Sequence, residues 1–357
     1  MYMKPLLILV LTVSLLQAQG PLTPPGAPAP IMKTLAQIEA RTAISGNNGL
    51  TPAAGPYFTI SSSGSYYLTG NIIVLSGDAI RINASGVTLD LNGFSILSAS
   101  TATGGSGVAI YFPASQERIH ISNGTISCTN TTGGFLNGII GDFNTITQAT
   151  FTDLTLSQIV QAGIISSDNS SAERCQVTTK TSTAISCTNT INCTGTSDGG
   201  IGISATNATN CTGSSGSSRG IFARNATNCF GTSSGSIGLL ATVNATNCRG
   251  NSDRSYGLYT TNATNCYGSA SGTGFTASIA IPALRCTGLF AANASNCTGV
   301  TSIDGGYGIF CEGTASFCRG INESTAAART ALQAAIAVAC TTGGGQIVSS
   351  QKHLGTP

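Results

Sequence analysis

Residues 202–219 read GISATNATNCTGSSGSSR, residues 220–237 GIFARNATNCFGTSSGSI and residues 238–256 GLLATVNATNCRGNSDRSY. The same phrase is written three times running: a strand-like G-[IL]-x-A, then N-A-T-N-C, then x-G and a Ser/Gly stretch. Two further copies end at Cys266 and Cys297, so the intervals from Cys211 through Cys229 and Cys248 are 18, 19, 18 and 31 residues. A fixed period of this size marks stacked supersecondary units, none of which can bury its apolar face alone.

Aligned column by column, the copies predict which side chains meet. Ile203, Ile221, Leu239, Leu258, Leu289 and Ile309 form an aliphatic column, and two residues later come Ala205, Ala223, Ala241, Thr260, Ala291 and Cys311. The two columns share a parity and are expected to face inward. Cys193, Cys211, Cys229, Cys248, Cys266, Cys297 and Cys318 also read as inward, because the residue after each varies freely. An earlier copy has Ile191 where the others have Thr, which predicts that Thr209, Thr227, Thr246 and Thr264 face the interior too. Asn207, Asn225, Asn244, Asn262 and Asn293 are expected to form a corner ladder, each amide bonding the next. Cys286 divides the 31-residue interval as 20 plus 11, and its second part lacks the Ser/Gly stretch. On that reading the Ser/Gly stretch is a dispensable side or loop.

Elsewhere the period is two. Val87, Leu89 and Leu91 alternate with Thr88, Asp90 and Asn92, and Ile119 and Ile121 flank His120. These are short half-buried strands punctuated by glycine. No proline occurs between Pro113 and Pro282, as continuous backbone ladders require.

Composition agrees with a polar-faced β-structure. The 357 residues include 45 glycines, no tryptophan, 8% charged and 41% hydrophobic residues. Such a chain is too apolar for disorder and too poor in charge for a helical globule. With 15 basic residues set against 13 acidic ones, nucleic acid is not an expected partner.

The ends read differently. Lys4 followed by the apolar run to Leu16 resembles an export signal over residues 1–18, too short to serve as a transmembrane anchor. Residues 19–34 form a proline-rich linker. Residues 31–44 space Ile31, Leu35 and Ile38 as one face of a short N-terminal capping helix. The solenoid is expected over residues 35–323. A C-terminal helix and tail should occupy 324–357, because STAAARTALQAAIAVAC is alanine-rich and offers Ser324 or Thr325 as N-cap. Export makes a secreted, periplasmic or cell-surface location the expectation. Thirteen cysteines leave at least one unpaired, and no C-x-x-C metal spacing occurs. The cysteine column reads as small buried apolar groups, with some neighbours within disulfide reach. The N-A-T sequons read as by-products of the repeat.

The stretches GSYYLTGN at 64–71, VTLDLNGFSI at 87–96 and IHISNGTI at 119–126 resemble bacterial secreted right-handed parallel β-helix repeat proteins of the pectate-lyase-like superfold. The resemblance covers roughly residues 35–350. It implies an all-β, right-handed parallel β-helix solenoid with three sheets and an N-terminal cap. It also implies an extracellular setting, with carbohydrate as the commonest ligand class. A fold alone does not fix a function.

Polysaccharide cleavage would need clustered acids or a calcium ion with a base. The eight aspartates are dispersed, and the N-T-D, D-D, G-H-G and R-I-K pattern of polygalacturonases is missing. A lyase or hydrolase is therefore the alternative reading, with Asp90, Asp142, Asp153, Arg118 and His120 as its candidates. No cofactor is implied. The leading reading is a structural or carbohydrate-binding module. Its candidate ligand stripe is the outward column that follows Ser204: Phe222, Leu240, Tyr259, Phe290 and Phe310. A flat threonine array binding ice is a third reading, disfavoured by the inward placement expected for threonine.

Overall fold

A computed structural model describes residues 40–47, 56–131, 133–141, 146–271, 287–302, 304–325 and 330–352. The described residues from Arg41 to Lys352 form a parallel β-solenoid of about 13 turns. The strand pairings among the described residues are parallel, and each joins a strand to its equivalent one turn away. The export signal, the linker and residues 31–39 of the expected capping helix lie outside the described residues. Residues Thr42–Ile44 at the end of that segment form a strand in register with Tyr66–Leu68.

One turn shows how the repeat builds its rung. Strand Ile203–Thr209 carries two runs separated by a bend, and Thr212–Ser215 is the third run. Ile203 and Ala208 are buried, at 0% and 1% exposure, whereas Thr206 and Asn207 at the bend are exposed. Asn210 then takes a left-handed φ of 54°, which turns the chain and points Cys211 inward. The same left-handed corner recurs at Asn192, Asn228, Asn247, Asn265 and Asn296. Asparagine is favoured there because its short polar side chain tolerates this conformation better than most residues.

The corners are tied by two asparagine ladders. The expected one runs from Asn189 through Asn207, Asn225, Asn244 and Asn262 to Asn293, with Nδ2 to Oδ1 distances of 2.9–3.2 Å. A second links Asn192, Asn210, Asn228, Asn247 and Asn265 at the left-handed corner, at 3.0–3.2 Å.

The aliphatic column is deeper than the copies suggest. It begins at Phe58 and Ile80 and passes through Ile110, Ile139, Ile164 and Ile185 before reaching Ile203. It then continues past Ile309 to Leu332 and Ile347. On the third run the interior changes along the axis. Ile72, Ile96, Ile126, Leu156 and Val177 fill the early turns, and from Gly195 their place is taken by Gly213, Gly231, Gly250, Gly268 and Gly299. Opposite them stand Gly202, Gly220, Gly238 and Gly257. A Cβ on Gly213 would lie 2.3 Å from the Gly220 carbonyl oxygen. The later turns are thus pinched flat, with backbone packed on backbone.

The Ser/Gly stretch closes the rung and is not dispensable. Buried Ser215 Oγ donates to Gly200 O at 2.6 Å and accepts from Ser218 N at 2.8 Å, and Ser197 does the equivalent one turn earlier. Leu258 pairs directly with Leu289, so the 31-residue interval is one turn with an insertion between Ala270 and Thr287, not a short rung beginning at Cys286. Cys286 itself lies outside the described residues.

Two further expectations are corrected. Ala208, Ala226, Ala245, Ala263 and Ala294 face the interior at 1–3% exposure, and the threonines beside them face outward. Ile191, whose substitution suggested the opposite, is 37% exposed. The bend and the left-handed corner reset the alternation, and the inward position takes small side chains, alanine in the repeats and Thr190 one turn before them. The C-terminal helix is replaced by strand Thr330–Val338, which pairs with Tyr307–Cys311 and Thr314–Ser316. Alanine's helix preference is weak beside burial. Leu332 extends the aliphatic column and Cys340 the cysteine column, both at 0% exposure. The solenoid therefore runs on to Lys352, beyond its expected end at residue 323.

Candidate functional site: an aromatic stripe and a thiol ladder

The stripe is assembled by register alone. Ser204, Phe222, Leu240, Tyr259, Phe290 and Phe310 occupy the same outward position on successive turns. Leu240 is buried at 9% exposure and the four rings are half-buried. Tyr259 and Phe290 stack at 4.7 Å between centroids with 2° between planes, and Phe290 and Phe310 at 5.3 Å and 10°. Tyr256 meets Tyr259 and Phe290 edge-on at 5.4 and 5.5 Å, and Tyr307 meets Phe310 at 5.3 Å. The Arg219 guanidinium lies 5.0 Å over Phe222. Tyr259, Phe290 and Phe310 thus cover one another's faces, whereas the face of Phe222 is covered by Arg219.

The freely varying position after the cysteines forms a second outward column. Phe230, Arg249 and Tyr267 follow the cysteines on consecutive turns. The Arg249 guanidinium sits between the two rings, 5.4 and 5.1 Å from their centroids. The repeat alignment already held this signal, since equal position in the period means vertical contact.

Among the described residues the early acids each have partners of their own. Asp90 accepts from Arg41 at 3.2 Å, from Asn92 N at 2.7 Å and from Asn123 Nδ2 at 3.3 Å. His120 lies on the adjacent strand, two residues from Ser122, the register partner of Asp90. Asp153 is held by Arg174 through two bonds of 2.7 and 2.8 Å, and Arg174 also pairs with Glu173. That hydrogen bond keeps the Asp153 carboxyl below its usual range. Arg118 pairs with Glu117, and Asp142 lies outside the described residues. Asp90, Asp153 and Arg118 thus each pair with a charge outside the candidate set, Arg41, Arg174 and Glu117 respectively.

Cys128 stands apart and half-buried, and the other eleven described cysteines fall into two sets. Cys175, Cys193, Cys211, Cys229, Cys248, Cys266, Cys297, Cys318 and Cys340 follow the left-handed corner on nine successive turns, all free thiols with 0–3% exposure. Each sulfur donates to the carbonyl two residues back, as from Cys211 to Thr209 at 3.1 Å and from Cys266 to Thr264 at 3.2 Å. Cys187 and Cys311 sit instead in the small-residue column, in register with Ala205 and Ala291. Burial pushes both of these thiols up to about 12.

Neither protein-family models nor curated proteins provide a match to this chain.

Proposed function

We propose that the chain is a right-handed β-helix exported from a bacterial cell, acting outside it as a carbohydrate-binding scaffold whose contact line is the stripe from Phe222 to Phe310. The observation that carries this reading is four half-buried rings and a leucine held in register on five consecutive turns. Aromatic edges carry partial positive charge, so a column of ring edges complements sugar oxygens. The hydroxyls of Tyr256, Tyr259 and Tyr307 add polar contacts at the same line. A rigid solenoid holds these groups at a repeat of about 4.8 Å, with little ordering required on binding.

The reading is tested by passing the purified protein over plant, algal and bacterial polysaccharides while scoring retention and new reducing or unsaturated ends. Retention without products is expected. Phe222→Ala with Tyr259→Ala removes two rings, each contributing about 1 kcal/mol, so binding should weaken roughly 10-fold or more while circular dichroism is unchanged. Equal retention by the double variant removes the stripe from consideration. Products from the parent protein would favour a lyase or hydrolase.

A second reading rests on the corrected threonine column. Thr209, Thr227, Thr246 and Thr264 face outward between two asparagine ladders, making a regular polar lattice. Such a lattice suits a periodic surface such as ice. Thermal hysteresis that disappears in Thr227→Tyr with Thr246→Tyr would select this reading, and its absence in the parent protein rejects it.

A further inference from the structure

We propose that the nine-thiol ladder from Cys175 to Cys340 takes up soft monovalent d10 cations, Cu(I) being the biological member of the class, each bridging the sulfurs of two adjacent turns. This rests on the ladder's geometry and is independent of the carbohydrate reading. The nine sulfurs hold one position on nine consecutive turns, as the register of the flanking residues shows. Each has its ladder neighbours only above and below, and no three ligating side chains among the described residues gather round one point. The arrangement thus offers a cation two sulfurs in line, not the four of a tetrahedral zinc site.

The spacing agrees. Two metal–sulfur bonds of about 2.3 Å placed end to end span ~4.6 Å, close to the rise of about 4.8 Å between stacked strands. A disulfide fits less well, because it draws Cβ atoms to about 3.8 Å. Stacked equivalents on parallel strands keep their Cβ atoms near the full rise. Soft thiolates select Cu(I) over harder ions.

Charge makes the uptake cooperative. One cation on two thiols releases two protons and leaves a buried site with one net negative charge. Eight cations bridging nine thiolates release nine protons and leave the same single charge for the whole column. Each cation after the first displaces one proton and adds no net charge, so the partly filled ladder favours completion. No electron is transferred, because the metal enters as a monovalent ion and stays so. The outgoing protons are those now donated to backbone carbonyls, as from Cys248 to Thr246 at 3.2 Å and from Cys297 to Ser295 at 3.1 Å.

The test titrates the reduced full-length protein with Ag(I), a redox-inert probe, without oxygen, and counts bound ions by native mass spectrometry. Free protein and a species with eight ions should coexist, with few intermediates. Cys248→Ala divides the ladder into two segments of four thiols, so the filled state should fall from eight ions to six. Cys340→Ala removes an end and should give seven, which keeps the test decisive if the central variant does not fold. Cys187→Ala, outside the ladder, should leave eight. No uptake, or a statistical spread of ions that shifts equally for Cys187→Ala and Cys248→Ala, overturns the proposal.

Discussion

Replacing Gly250 by alanine is expected to destabilise the solenoid by about 3 kcal/mol or prevent its folding, although it adds a single methyl group. Glycine to alanine in an ordinary strand is expected to stabilise by about 0.4–1 kcal/mol through the unfolded state. Here the new Cβ would stand 2.1 Å from the Gly257 carbonyl oxygen, 2.6 Å from its carbonyl carbon and 3.0 Å from Leu258 Cα. All three are backbone atoms fixed by ladders to the turns above and below, so no flexible side chain can yield. Overpacking therefore outweighs the entropic gain. Gly104, with nothing within 4 Å of its added Cβ, is the matched control and should accept alanine without loss. Urea unfolding of the two variants beside the parent protein decides the matter. An unchanged midpoint for Gly250→Ala would mean that the later turns are not pinched. Because turns in a solenoid depend on their immediate neighbours, the damage should spread outward from this rung.

How far the sequence could be read follows from the same geometry. The period, the aliphatic column, the cysteine column and one asparagine ladder were legible because each repeats a chemical type at fixed spacing. The glycines of the same phrase were legible as a pattern but not as packing. A glycine that turns a loop and one that admits an opposing backbone look identical in sequence. The parity of N-A-T-N-C was misread because alternation holds only within an unbroken strand, and two changes of direction within six residues restart it. The alanine-rich segment after Ser324 was misread because local preference pointed to helix. The decisive fact, that Leu332 and Cys340 complete columns begun far upstream, was visible only with the turns aligned. For the site, outward register gave the stripe, but not that its rings would stack face to face. That depends on rotamers shared between turns, which spacing does not specify.

The restarted parity makes a sharp prediction at two adjacent residues. Ala263 is 2% exposed and in register with Ala245 and Ala294, whereas Thr264 is exposed on the outer face. Ala263→Asp is expected to destabilise by ~3–5 kcal/mol at neutral pH, because its carboxylate would be buried among alanine and thiol columns. Thr264→Asp should change stability by about 0.5 kcal/mol or less. The pH dependence separates burial from simple crowding. Burial raises the folded-state pKa of the new carboxyl above its unfolded value of about 3.9, so its penalty is full above the folded pKa. The penalty should shrink as pH falls through that value, as the carboxyl becomes neutral in both states. Ala263→Asp should therefore recover part of its lost stability between neutral and mildly acidic pH, relative to the parent protein at each pH. An isosteric Ala263→Asn variant, which crowds the tube equally but carries no charge, should show no such recovery. If instead Thr264→Asp were the damaging change and Ala263→Asp the harmless one, the threonine column would face the core. Both the outward polar lattice and the alanine-lined interior would then be wrong.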